Sequence, residues 1–370
     1  MVFSQDEITS GSAFHIINDN ARRRLSTHKR STENTTCTFA KASVRREFRN
    51  MTLSARKSFT NAVKCLQKIP PKSMSPNESV QYPGVKSRYD EYVATHINYT
   101  YNIHMTADFW AWHRYFIWNL EQDLHKCGYN GTLPYWDWQM DAEAPQDSEL
   151  FNGDQYSMGS NGDYIANRTD TWVWPQEVTF PPGTGGGCVS KGPFSNYTVN
   201  LGPLDNPYGG NVVSNYQHNP RCLVRDLNPW FSRQYNTYTN ITNLIMNHNN
   251  IVDFQAEAQG YFSRADPFGM HGGGHWMAGG NSTLMDFHSS PGDPLFFLHH
   301  AQVDRIWILW QQLDVENRQY AISGTSTLNN DPPSAEMTLN DILPFGFVAN
   351  DRMFGDLMDT FVGPFCYRYQ

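Results

Sequence analysis

Residues 292–304 read GDPLFFLHHAQVD. Asp293 is a good helix N-cap, and Pro294 at the first helical position gives up only an amide that has no partner there. The apolar pattern continues to residue 317 and predicts a buried helix over 294–317. A histidine pair, His299 and His300, therefore sits about two turns into that helix. Asp304 follows His300 one turn later on the same face. It can orient a metal ligand or a neighbouring helix, or pair with a surface base such as Arg305; the residues leave both open.

Upstream, residues 271–275 read HGGGH. Imidazoles four apart on a helix are offset by about 40° and can reach one ion. This is not the zinc-protease signature H-E-x-x-H. Gly272 stands where that motif needs its Glu, so a zinc hydrolase would lack its general base. A second histidine group lies in residues 95–121, THINYTYNIHMTADFWAWHRYFIWNLE, as His96, His104 and His113. Positions nine apart fall on opposite faces of a helix, so His104 and His113 cannot face one metal from a single straight helix, and a loop must break the pattern between His96 and the helix that begins near His113. Asn102, Thr106 and Asp108 suit one. Any one of these histidines alone reads as a hydrogen-bonded core residue; the grouping is what points to metal. Six imidazoles without a thiolate suit copper, and zinc, iron or nickel less exclusively. Magnesium or calcium would need oxygen donors that these motifs lack. The other histidines, His15, His28, His125, His218, His248 and His288, read as surface or structural.

The rest of the chain bounds the function. Its 370 residues are 14 % aromatic, enough for a large core, and its net charge of −8 gives no reason to expect nucleic acid as a partner. Arg22-Arg23-Arg24, with Lys29 and Arg30, reads as a solvated face. No apolar stretch is long enough for a membrane span, and no signal-peptide pattern opens the chain, which fits a mature protein whose signal was removed but does not by itself separate it from a cytosolic one. Nine Asn-x-Ser/Thr triplets, at Asn34, Asn50, Asn77, Asn98, Asn130, Asn167, Asn196, Asn240 and Asn281, accompany six cysteines with no C-x-x-C pair. Together they point to secretion, N-linked glycans and three disulfides of undetermined pairing.

Residues 1 to about 45 are polar and irregular and are expected to wrap the surface. Helical spacing recurs over 52–66, 88–99, 110–125 and 241–258. Residues 128–240 hold most of the glycine and proline and predict long loops with a few short strands. The residues alone thus describe one mainly helical domain with elaborate loops.

Two motifs in order, His104-x4-Phe109-x2-Trp112-His113-Arg114 with Glu121 and Asp293-Pro294-x-Phe296-x3-His300-x3-Asp304, resemble the type-3 copper proteins: tyrosinase, catechol oxidase and hemocyanin. Leu133-Pro134-Tyr135-Trp136-Asp137-Trp138 and Tyr367-Arg368-Tyr369 resemble further family landmarks. The likeness is strongest to short secreted fungal polyphenol oxidases. It implies a mainly α fold, a four-helix bundle holding a dicopper centre with long irregular loops and a few short strands. Residues 1–45 would be an N-terminal surface segment and 46–370 a single catalytic domain without a C-terminal shielding domain. One copper would take His96, His104 and His113, the other His271, His275 and His300, with His299 beside the site and lining the pocket. The implied activity is oxidation of o-diphenols to o-quinones with O2 as co-substrate. Substrate would stack on His275, and Trp276 would shape the entrance. Asn102 stands where many relatives carry a cysteine joined to the second ligand. Gly272 stands where an Asn often helps to hold the water that deprotonates monophenols, and Glu257 is the candidate for the matching Glu. These departures leave monophenol hydroxylation open. The alternatives are a hemocyanin-like oxygen carrier and a secreted glycoprotein with merely buried histidines. Partners would be small phenols and glycans, with no nucleic acid and no membrane, on a monomer or weak dimer.

Overall fold

The computed structural model describes residues 1–27, 37–173, 177–205, 213–260, 267–279 and 283–370. Twelve helices are found among them: α1 (Gln5–Thr9), α2 (Ser12–Thr27), α3 (Leu53–Leu66), α4 (Pro76–Gln81), α5 (Arg88–Tyr99), α6 (Phe109–Lys126), α7 (Pro229–Tyr235), α8 (Tyr238–Asn247), α9 (Ile251–Gln259), α10 (Gly269–Gly279), α11 (Leu295–Leu313) and α12 (Val315–Arg318). The predicted four-helix bundle is α5, α6, α10 and α11, and the other described elements are built around it.

Each bundle helix forms for a local reason. The Ser87 hydroxyl accepts the Asp90 amide (3.2 Å) and starts α5. Asp293 accepts the Leu295 amide (2.9 Å) and so caps α11. Both oxygens of the same carboxylate accept from one edge of the Arg225 guanidinium, Nε at 2.7 Å and Nη2 at 2.8 Å, which pins the long loop to the helix start. From Leu295 to Gln312 every residue of α11 is buried. A helix buried on all sides belongs at the centre of a core, and each large apolar side chain buried there contributes about 1.5–3 kcal/mol. The stretch over 241–258 is broken into α8 and α9, because the Asn250 side chain accepts the Asp253 amide (2.9 Å) and starts a new helix.

The expectation of an irregular wrap is corrected for residues 1–27: they form α1 and α2, and α2 buries Ala13, Phe14, Ile17, Ala21 and Leu25 along one stripe. The Arg305 guanidinium of α11 lies 5.1 Å from the Phe14 ring, and Arg24 Nη1 donates to the Gln312 carbonyl (2.7 Å). The spacing of these apolar residues is helical; the polar residues between them hid it. Ser43–Arg45 then pairs in parallel with Tyr367–Tyr369, and Cys37–Cys366 binds the same two segments covalently. His28, Lys29 and Arg30 lie outside the described residues.

The loops over 128–240 carry short two-stranded ribbons, as predicted. One pairs Thr171–Val173 with Val178–Phe180. The remaining disulfides are Cys65–Cys127, which ties α3 to the end of α6, and Cys188–Cys222 within the loop region. Among the described residues no helix is long and apolar enough to cross a membrane.

Six of the sequon asparagines, Asn50, Asn77, Asn98, Asn130, Asn167 and Asn196, are exposed; Asn34 and Asn281 lie outside the described residues. Asn240 differs. It is half-buried, and its Oδ1 accepts the Thr237 amide (3.2 Å) in the box that caps α8. In protein secreted from a eukaryotic host, Asn240 is expected to carry no glycan while exposed sequons do. Peptide mapping after enzymatic deglycosylation in heavy-oxygen water reads this directly; conversion at Asn240 would contradict it.

Candidate metal centre

Two buried histidine groups face each other inside the bundle: His96, His104 and His113, and His271, His275, His299 and His300. His96 comes from the end of α5 and His113 from the first turns of α6. The break expected between them is there. After α5 the chain makes a short 3-10 turn over Thr100–Asn102 and passes through Met105 at φ 51°, which swings His104 back towards His113. Their ring centroids are 5.2 Å apart.

Hydrogen bonds to backbone carbonyls fix the tautomers. Nδ1 of His96 lies 2.6 Å from the His288 carbonyl, and Nδ1 of His104 lies 2.8 Å from that of Thr100. Nδ1 of His113 meets Phe109 O and Nδ1 of His275 meets Leu284 O, each at 2.8 Å. A carbonyl only accepts, so each Nδ1 carries the proton and each Nε2 presents a lone pair. The lone pairs have no protein use: Nε2 of His96 and of His113 is buried without a partner. In the second group, Nε2 of His275 lies 3.1 Å from Nε2 of His271 and 3.2 Å from Nε2 of His300. Ring nitrogens this close share either a proton or a cation, and metal–nitrogen bonds of about 2.0–2.1 Å span such gaps. Burial, reinforced for most of them by neighbouring imidazoles, holds His96, His113, His271 and His300 neutral well below the usual histidine range. It lowers His104 to about 3 and His275 to about 4. Neutral imidazole is the form that binds a metal. The two groups are adjacent: the His113 and His300 rings stack at 4.5 Å and 10°. This donor set fits two ions side by side.

The glycines between His271 and His275 have steric reasons. Each costs about 1 kcal/mol against alanine inside a helix, yet neighbours leave no choice at two of them. A Cβ on Gly273 would lie 2.3 Å from Tyr235 Cβ of α7, and one on Gly274 would lie 2.4 Å from the His299 ring. At Gly272 the nearest atom is Phe268 Cβ at 3.3 Å, so that position is close but not closed. Asp304 takes the framework role. It accepts Arg114 Nε (2.7 Å) and the hydroxyls of Tyr367 (2.6 Å) and Tyr369 (2.8 Å), while Arg305 pairs with Asp137 instead.

A cavity of about 330 Å³ opens onto His104, His271 and His275, and Gly272 and Trp276 also line it. The Trp276 ring packs on Phe180, Phe231 and Phe268 at 5.1–5.4 Å. Two expectations are corrected. His299 does not line this cavity; it is fully buried behind the site, 5.3 Å from the Trp138 ring and against Gly274. Glu257 does not reach the cavity either. Gln259, two residues on, lines it and accepts the Met105 amide (2.8 Å). Two residues is more than half a helical turn, so the side chains point differently, and no spacing rule fixed the register of α9 against His271. Gln259, Phe287 and Trp172 escaped the sequence reading because they come from segments far apart in the chain.

A helical bundle with facing buried groups of three and four histidines at the foot of an aromatic cavity has the donor set of a histidine-bound metal centre. The model of the common central domain of tyrosinase matches residues 86–313, and the chain belongs to the tyrosinase family. It is 38 % identical over 333 residues to tyrosinase P of Aspergillus terreus, covering 88 % of this chain and 91 % of that one. It is 37 % identical over 353 residues to N-acetyl-6-hydroxytryptophan oxidase of Emericella nidulans, covering 90 % and 94 %. A polyphenol oxidase from Thermothelomyces thermophila, solved as its G292N mutant, superimposes with a TM-score of 0.90 at 36 % identity over 99 % of this chain and 100 % of that one. The protein is an oxidase of small phenols.

Proposed function

We propose that His96, His104 and His113 hold one copper and His271, His275 and His300 the other, and that the enzyme converts o-diphenols to o-quinones. The carrying observation is the convergence of lone-pair nitrogens beside a cavity that exposes His275. A bound copper pair supplies the binding and four-electron reduction of O2, so that two diphenols and one O2 give two quinones and two waters. His275 offers its ring face to the arene, and Trp276 and Phe268 wall the ring in. Three disulfides and the exposed sequons support a secreted, glycosylated protein.

Diphenols are favoured over monophenols because a monophenol must first lose its proton to a base. Gln259 has no basic atom. Two carboxylates line the cavity: Asp205 is solvent-exposed, and the oxygens of Asp286 accept the amides of Leu204, Asp205, His288 and Ser289 at 2.6–3.0 Å and serve the turn instead. Oxygen uptake by copper-loaded protein is expected with catechol and to be weak with tyramine; equal rates with both would overturn this reading. Gln259→Glu combined with Gly272→Asn places a carboxylate and an amide beside His271. Tyramine turnover is expected to rise roughly 10²-fold, the lower end of general-base catalysis, with catechol turnover little changed. Gly272→Asn alone is expected to gain much less.

A further inference from the structure

We propose that Trp172 determines specificity by stacking on a second aromatic ring of the substrate, so that the enzyme favours aryl-substituted diphenols over single-ring ones. This rests on the phenol-oxidase reading above and adds the substrate class. The side chain of Trp172 borders the cavity and yet is 56 % exposed. A large indole left in water next to a ligand cavity is available to a ligand.

Its position is fixed. Trp172 opposes Thr179 in the two-stranded ribbon, whose Phe180 is fully buried, 5.4 Å from the Trp276 ring and 4.6 Å from the Phe231 ring. The shelf is thus fastened to the residue that follows His275. Val173, Phe268 and Trp276 line the same cavity and give an apolar path between the reacting ring and the shelf. The volume of about 330 Å³ lies in the range of pockets that enclose drug-sized ligands of about 300–1,000 Å³. A ring placed over His275 therefore leaves space that a second ring can fill.

The test compares kcat/KM for 4-phenylcatechol and catechol. The copper-loaded enzyme is expected to prefer 4-phenylcatechol at least tenfold. Trp172→Ala is expected to cut that preference about tenfold through KM, leaving kcat and catechol turnover within twofold, and Trp172→Phe to keep most of it. An equal loss on both substrates, or an unchanged preference in Trp172→Ala, would overturn the proposal. Calorimetric titration of metal-free protein with 4-phenylcatechol separates the two readings. Trp172→Ala should weaken that Kd about tenfold whether or not any diphenol is oxidised. An unchanged Kd sinks the shelf, whereas turnover of neither diphenol with an intact Kd difference sinks only the activity.

Discussion

A Gly274→Ala variant is expected to fold and yet lose copper from the second histidine group, whereas Gly272→Ala should retain both coppers. The two changes are chemically identical and sit on one helix. Alanine is the better helix former by about 1 kcal/mol, so propensity favours both equally. Packing separates them. The Gly274 methyl would lie 2.4 Å from Cε1 and 2.6 Å from Nδ1 of His299. That ring cannot retreat, because it is fully buried against Trp138 and its centroid is 4.4 Å from that of His275. Overpacking of this kind costs about 1–3 kcal/mol, and the strain falls on the His275 ring and on α11 next to His300. The Gly272 methyl meets only Phe268 Cβ at 3.3 Å, at the wall of the open cavity, where a few tenths of an ångström can be given. Metal content after copper loading and dialysis measures the difference. Two coppers per chain in Gly274→Ala would show that His299 yields, and the steric account of HGGGH would then be wrong.

The same helix shows what was legible in the chain. The spacing of His271 and His275 alone places both rings on one face, and their Nε2 atoms do converge. The incompatibility of His104 and His113 with one straight helix required a break between His96 and α6, and the chain does break there, at Thr100–Asn102 and Met105. Such inferences work because helical periodicity ties sequence distance to direction. They stop where direction depends on a partner from elsewhere. Glu257 and Gln259 differ by two positions on one short helix, and only the docking of α9 against the site decides which faces it. Likewise the pairing of Cys37 with Cys366 depends on Ser43–Arg45 meeting Tyr367–Tyr369, and no local pattern specifies that. The helix α2 was a different kind of miss, since its apolar stripe was visible in Phe14, Ile17, Ala21 and Leu25 but diluted by polar neighbours.

Asp304→Asn is expected to destabilise the metal-free protein by about 3–5 kcal/mol, the cost of leaving a buried charge without its partner. The carboxylate is 3 % exposed and faces Arg114 Nε at 2.7 Å and Arg45 Nη1 at 3.6 Å, besides the two tyrosine hydroxyls. Arg114 keeps the carbonyls of Leu357 and Met358 and its place over the Trp307 ring (3.8 Å), but these are neutral and cannot balance its charge. Arg45 keeps Glu121 at 2.9 Å. The net effect is therefore one uncompensated guanidinium, Arg114, in the core. For a chain of 370 residues the loss corresponds to a fall in Tm of roughly 4–6 °C. Glu143→Gln is the control: its pair with Arg233 is long at 3.2 Å, and the two side chains are 84 % and 53 % exposed. Solvent screens such a pair almost completely, and no measurable change in Tm is expected. Equal Tm values for the two variants would show that the Asp304 network adds nothing to stability. The consequence for the site follows from where the partners sit. Arg114 adjoins His113 on α6, and Asp304 lies one turn beyond His300 on α11, so this ion pair sets the spacing of the helices that carry one histidine of each group. Loss of the charge should therefore also move the stacked His113 and His300 rings apart, and copper affinity should fall together with stability.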